Sequence, residues 1–158
     1  MSIPEASERV VAAGRELGVD IDIHEFPEGT KTSADAAAAI GCELSAIAKS
    51  IVLTVDDTEQ VVVFASGDTR IDLQRLAEAA GGSSARRATL EEAREATGFA
   101  PGGTPPFGYQ QEVRVFADEK LRRHEVVWAA GGTPTTVFPI ELEQLVRVGG
   151  AVWVDVAE

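Results

Sequence analysis

Two stretches combine residue types that could do chemistry. The first is Lys49-Ser50, which opens the apolar run Ile51-Val52-Leu53-Thr54-Val55; Lys49 is one of only three lysines in the chain. A lysine so placed either snorkels to solvent or points its ammonium into a cleft. In a cleft it is a compact point charge suited to a phosphate or carboxylate. The second stretch is Thr97-Gly98-Phe99-Ala100-Pro101-Gly102-Gly103-Thr104-Pro105-Pro106-Phe107-Gly108-Tyr109. Glycine lets backbone approach a ligand closely and proline fixes φ, so this length reads as a shaped wall, the plainer alternative being a surface loop stiffened by prolines. If Gly102 and Gly103 expose their amides, they can donate to an anionic or carbonyl oxygen as an oxyanion hole does. A second glycine patch, Gly131-Gly132, is either a hairpin turn or another place where backbone meets ligand.

The remaining reactive side chains are sparse. His24 and His124 have no Ser-His-Asp spacing or G-x-S-x-G elbow beside them and read as structural or solvated. Cys42 is alone, which excludes a disulfide framework and a thiolate cluster for zinc, and no basic neighbour activates it. Asp56-Asp57 and Glu91-Glu92 read as turn and helix-face charges. The pattern is a site poor in ionisable groups and rich in backbone, with no metal and no cofactor expected.

Elements of both periods must position these stretches. The first helix is expected to open with a Ser2–Glu5 capping box, with Pro4 in its first turn, and to bury Ile3, Ala6, Val10, Ala13 and Leu17 before stopping at Gly18. Residues 21–26 alternate like a strand. Thr32 or Ser33 caps a second helix that Gly41 closes. Residues 47–55 and 60–66 form a hairpin around Asp56-Asp57. Asp72 caps a third helix, with Ile71 and Leu76 spaced as a staple and Gly81-Gly82 ending it. Thr89 with Glu92 boxes a fourth helix running to Thr97. Strands are expected over 113–116, 126–130 and 135–138, then a helix over 140–146 and a closing strand over 151–156. Short turns between strands favour an α/β arrangement of the mixed α+β kind, with helices around a mixed sheet, over a doubly wound one. Neither a G-x-G-x-x-G after the first strand nor a P-loop occurs.

The 158 residues fit one domain, 1–158, with 44% hydrophobic and 25% charged residues. No apolar run nears the roughly 20 residues that span a bilayer, and the first residues do not resemble a signal peptide, so a cytoplasmic protein without a membrane partner is expected. A net charge of −12 argues against a broad grip on DNA or RNA, while leaving room for a local basic pocket around one nucleic-acid end.

Thr32-Ser33-Ala34-Asp35-Ala36-Ala37, Ile47-Ala48-Lys49-Ser50-Ile51-Val52-Leu53, Gly67-Asp68-Thr69-Arg70-Ile71-Asp72-Leu73, Gly102-Gly103-Thr104-Pro105-Pro106-Phe107-Gly108 and Ala129-Ala130-Gly131-Gly132 occur in this order. In these pieces the chain resembles the YbaK/prolyl-tRNA editing-domain family of stand-alone, ProX-like aminoacyl-tRNA deacylases, over nearly its whole length. The resemblance implies a mixed, largely antiparallel sheet flanked by helices. It also implies hydrolysis of the ester at the 3′ end of aminoacyl-tRNA, with proline tRNA carrying alanine, cysteine or a similar small residue, and possible association with a synthetase. It assigns Lys49 to the terminal adenosine or its phosphate, and Gly102 and Gly103 to the scissile carbonyl. Thr32, Ser33, Ser50, Ser66, Thr104, Pro105, Pro106, Phe107, Gly131 and Gly132 would bind substrate. Some relatives carry a histidine near the second glycine patch; this chain has none there, which leaves the choice of amino acid open. Readings that stay open beside it are a non-catalytic binder of a nucleotide or aminoacyl-adenosine, and a hydrolase of another small ester or amide.

Overall fold

Helical and extended runs alternate in a computed structural model that describes residues 3–30, 32–100 and 102–158. In chain order they are α1 (Glu5–Glu16), β1 (His24–Glu25), α2 (Ser33–Ile40), β2 (Ala48–Val55), β3 (Glu59–Ser66), α3 (Leu73–Ala79), β4 (Ala85–Arg87), α4 (Leu90–Thr97), β5 (Arg114–Asp118), β6 (Val126–Ala130), β7 (Thr136–Glu141), α5 (Leu142–Gly149) and β8 (Ala151–Val154). Short 3-10 turns, Leu44–Ala46 and Glu119–Arg123, precede β2 and β6.

The strands form two sheets rather than the single sheet expected. Five are ordered β4-β2-β3-β5-β8 and three are ordered β1-β7-β6. The β2–β3 hairpin is antiparallel over its whole length, Ala48 opposite Ser66 and Val55 opposite Glu59. Asp56, Asp57 and Thr58 turn it: Asp56 and Asp57 have φ of 51° and 57°, a left-handed pair that suits the strand twist, and Thr58 N donates to Val55 O at 3.1 Å. Beyond the hairpin the sheet becomes parallel, β3 to β5 and β5 to β8. An isolated bridge from Ile47 to Trp128 joins the two sheets near the start of β2.

Alternation along β3 explains the layering. Val62 and Phe64 face one cluster with Val115, Ala117, Val127, Phe138 and Leu145, between the sheets and under α1 and α5. Val61 and Val63 face another with Leu53, Leu76 and Phe116, under α3. Both faces of β3 are therefore buried, and a phenylalanine as fully covered as Phe64 contributes about 1.5–3 kcal/mol.

Caps match the expectations for α2, α3 and α4. Thr32 accepts from Asp35 N at 3.0 Å, Asp72 accepts from Arg75 N at 3.1 Å, and Thr89 with Glu92 forms a reciprocal capping box. Gly41 and Gly98 close α2 and α4 in the left-handed region.

Several boundaries differ from expectation. Pro4 is the N-cap of α1 and makes no side-chain cap bond, and Ser2 lies outside the described residues. The buried face of α1 is Ser7, Val10 and Gly14, while Leu17 is exposed. Of the run 21–26 only His24 and Glu25 form a ladder with β7, opposite Val137 and Thr136, and Phe26 N adds one bond to Thr135 O at 2.8 Å. Ile140 belongs to β7, paired with Val127, and α5 begins at Leu142. The strand β8 ends at Val154, two residues early.

Candidate active site

A cleft of about 390 Å³ opens where the start of β2 passes α2, β4, α4 and β6. Lys49, half-buried, projects into it from β2, and its Nζ donates to Thr69 O at 2.7 Å. Burial pushes its ammonium below the usual lysine value; Arg87 adds to this, Asp68 opposes it, and Arg70 contributes in the same direction as Arg87. Arg87 lines the cleft from β4. Among the described residues neither Arg70 nor Arg87 has a carboxylate within salt-bridge distance. Among the described residues, a chain with net charge −12 thus places Lys49 and Arg87 in the cleft lining and Arg70 near enough for its charge to bear on Lys49.

The opposite wall comes from the glycine-proline loop. Gly102, exposed with φ of 87°, and Thr104 both line the cleft. Among the described residues their backbone amides have no acceptor. Gly103 is placed differently. Its amide reaches back toward Ala100 O at 3.4 Å, and a Cβ there would come within 2.6 Å of Thr133 N, so the loop packs backbone to backbone on the second glycine patch.

The loop is held in shape from behind. Tyr109 Oη donates to Pro105 O at 2.7 Å, and burial pushes its phenol well above the usual value. Arg9 donates to Gly98 O at 2.9 Å and lies over the Phe99 ring, 4.3 Å from its centroid. Pro105, Pro106 and Phe107 are buried, with the Phe107 ring 6.0 Å from Phe138. These three support the wall from the core and do not line it.

Of the residues singled out from sequence, the structure brings Thr32, Ser33, Lys49, Ser50, Gly102 and Thr104 to one cleft. Ser66, Gly103, Gly131 and Gly132 stand outside its lining. Ser66 is fully buried opposite Ala48. Gly131 packs on Thr136, and Gly132 on the Ala6 backbone. Among the described residues the buried Ser66 Oγ has no partner. Ser50, in the cleft wall, lies beside the Tyr109 phenol, which its hydroxyl draws slightly down against the rise from burial. The small side chains Ala36, Ala48, Ala129 and Ala130, with Trp128 and Val137, add apolar surface to the lining.

Sequence reasoning missed Arg87, Arg70 and Trp128. No local motif marks an arginine on a three-residue edge strand, and only the β2–β4 register, Leu53 opposite Arg87, brings it alongside. Among the described residues the lining contains no aspartate, glutamate, histidine or cysteine. His24 lies 3.0 Å from Asp22 with its ring edge-on to Trp128, and His124 bonds Ser45 at 2.8 Å. Burial pushes the Cys42 thiol up, away from a nucleophile. Among the described residues no group of three or more His, Cys, Asp or Glu could hold a metal, and no helix is long and apolar enough to cross a membrane.

The sequence pattern of a family described as "Aminoacyl-tRNA editing domain" matches residues 27–148. The protein YwhH of Bacillus subtilis, itself uncharacterised, is 31% identical over 138 residues, which is 87% of this chain and 87% of that one. EbsC of Enterococcus faecalis, named as a candidate Cys-tRNA(Pro)/Cys-tRNA(Cys) deacylase, is 26% identical over 96 residues, 61% of this chain and 58% of its own length. A crystal structure described as that of a candidate trans-editing enzyme for prolyl-tRNA synthetase superposes with a TM-score of 0.92 at 37% identity, covering 99% of both chains.

Proposed function

Because the chain belongs to the aminoacyl-tRNA editing domain family, we propose that it is a trans-editing hydrolase that removes a small, wrongly attached amino acid from the 3′ end of tRNA, with proline tRNA as the carrier. The observation that carries this reading is that one cleft is lined by Lys49 and by Gly102 and Thr104, whose amides have no acceptor among the described residues.

In this mechanism Lys49 holds the terminal adenosine or its phosphate, and the neighbouring charges of Arg87 and Arg70 favour the same anion. The aminoacyl carbonyl sits against the loop. Water adds to the carbonyl carbon, and the negative charge that develops on oxygen is met by the amides of Gly102 and Thr104, donors that act best when the loop fixes them beforehand. The bond to the ribose oxygen then breaks, giving the free amino acid and a tRNA with its hydroxyl restored. Among the described residues no carboxylate, imidazole or thiol lines the cleft, and with Lys49 engaged by the tRNA end the vicinal ribose hydroxyl of the substrate assists proton transfer. An ester held beside an oriented water asks little more of the protein. The alanine-lined surface admits small side chains and excludes larger ones by contact, while discriminating weakly among those that fit. Likeness to a structure described as a trans-editing enzyme for prolyl-tRNA synthetase supports association with a synthetase.

The test is deacylation of alanyl-, cysteinyl-, seryl- and prolyl-tRNA of the proline isoacceptor by wild type and Lys49→Ala. Wild type should clear one or two mischarged species and spare prolyl-tRNA. Lys49→Ala should fall to the rate without protein while keeping its fold. Decay no faster than the protein-free control across the panel overturns the hydrolase reading, and a fully active Lys49→Ala overturns the role given to the lysine.

A further inference from the structure

Lys49 is held by a carbonyl although a carboxylate stands next to that carbonyl in the chain. Thr69 O accepts from Nζ at 2.7 Å, and Thr69 sits in a turn between β3 and α3 whose own N–H bonds Ser66 O at 3.0 Å. Gly67 seats the turn against the chain before β2, where a Cβ would come within 2.6 Å of Leu44 O. Asp68 is the acid whose charge bears on Lys49. Its two oxygens are instead taken by Arg123, 55 residues further on, at 2.9 Å to Oδ1 and 3.2 Å to Oδ2. The fork-on-carboxylate geometry fixes direction as well as charge.

Arg123 is itself anchored. Its Nε donates to Lys120 O at 2.8 Å, within a 3-10 turn capped by Asp118, whose Oδ2 accepts from Lys120 N at 3.1 Å and Oδ1 from Val156 N at 3.0 Å. The next residue, His124, bonds Ser45 Oγ just before β2.

We propose that Asp68 and Arg123 are positioning residues, an ionic latch that sets the Thr69 carbonyl beneath Lys49 and keeps the Asp68 carboxylate off its ammonium. The proposal rests on the reading of Lys49 as the group that holds the tRNA end. A lysine bonded to one neutral carbonyl keeps two N–H donors and its full charge for a phosphate. A lysine captured by a carboxylate does not. The groups facing Lys49 are Arg87 from β4 and Asp68 and Arg70 from the turn; those facing Arg123 are Asp68, Asp118 and Glu43. The two halves of the latch therefore act on Lys49 in opposite senses. Removing Arg123 frees Asp68 to pair with Lys49 and stabilises the ammonium. Removing the Asp68 charge leaves Lys49 against Arg87 and Arg70 uncompensated.

The full chain labelled with ¹³Cε-lysine tests this, since three lysines give three resonances and Lys49→Arg identifies one. The Lys49 signal should titrate at lower pH in Asp68→Asn and at higher pH in Arg123→Gln, with Arg123→Lys close to wild type. Both side chains are well exposed, 37% for Asp68 and 44% for Arg123, and unchanged amide dispersion confirms each fold. Against aminoacyl-tRNA, each single variant should raise KM roughly five- to tenfold with a smaller change in kcat, and the double variant should be no worse than the poorer single, because both remove one device. A Lys49 titration unmoved in both single variants, or additive KM effects, overturns the latch. The titration needs no RNA. Shifts in both directions without ester cleavage by wild type would uphold the latch and defeat the proposed activity; cleavage with an unmoved titration would do the reverse.

Discussion

The ammonium of Lys49 loses its proton more easily than an ordinary lysine, because burial and two arginines oppose its charge and only Asp68 favours it. The sign for substrate binding follows. The charge is complete well below the lowered pKa and is lost as pH rises through it, earlier than for a lysine in solvent. Affinity for a non-hydrolysable 3′-aminoacyl-adenosine analogue bearing a 5′-phosphate should therefore fall on the alkaline side before free lysine would titrate. In Lys49→Arg that fall should vanish, since arginine stays protonated. Titration calorimetry across that range measures it; a flat profile in wild type would remove Lys49 from the phosphate. The place of Lys49 in a cleft was legible as one of two readings of a lone charge at the head of an apolar strand, and that of Gly102 as one of two readings of a glycine-proline loop, the plainer being a stiffened surface loop. Arg87, Asp68 and Arg123 were not, because their meaning depends on partners in other elements, as with Arg123 and Asp68 some 55 residues apart.

At the scale of elements, local chemistry wrote the boundaries it controls. The caps of α2, α3 and α4 and the β2–β3 turn could be placed from side chains within four residues of each other. The strand β4 could not: Ala85-Arg86-Arg87 is short and charged, and it extends only because β2 supplies partners and Arg86 is pinned by Asp57 and Glu92. The extent of β7 was hidden by Pro139, which pairs with Trp128 on the β6 side while β1 reaches only Thr136 and Val137, so the missing N–H costs no ladder bond there. The capping box of α4 matters to the site because this helix lines the cleft with Leu90 and Ala93 and delivers the chain into the loop. Thr89→Ala should lower unfolding free energy by about 1 kcal/mol. It should also raise amide exchange over residues 90–98 more than in the β2–β3 hairpin. Uniform exchange across both would mean that α4 does not open on its own.

Taken whole, the molecule carries a net charge of −12 and yet brings Lys49, Arg87 and Arg70 close to one another at the cleft, and that limits how it can hold RNA. Three clustered cations correspond to a slope of log affinity against log salt of roughly −2, at about 0.7 per single-stranded phosphate contact. A minihelix carrying only the acceptor stem should accordingly be deacylated at a rate comparable to full-length tRNA; a steeper salt slope, or a large loss with the minihelix, would place contacts elsewhere on the surface. The two-sheet arrangement was the part of the fold least legible in sequence, since strand runs state their own length but not which neighbours they choose. One such choice has a bearing on biosynthesis. Val156 O accepts from Asp72 N, Glu158 N donates to Arg70 O, and Ala157 bridges Ile71, so the last stitches on the turn that carries Thr69 come from residues translated some 85 positions after it. A ribosome displaying this chain would present the β2–β3 hairpin long before the lysine at its head had its carbonyl partner fixed, and a released chain truncated after Asp155 should resist protease in the hairpin while being cut between Gly67 and Leu73.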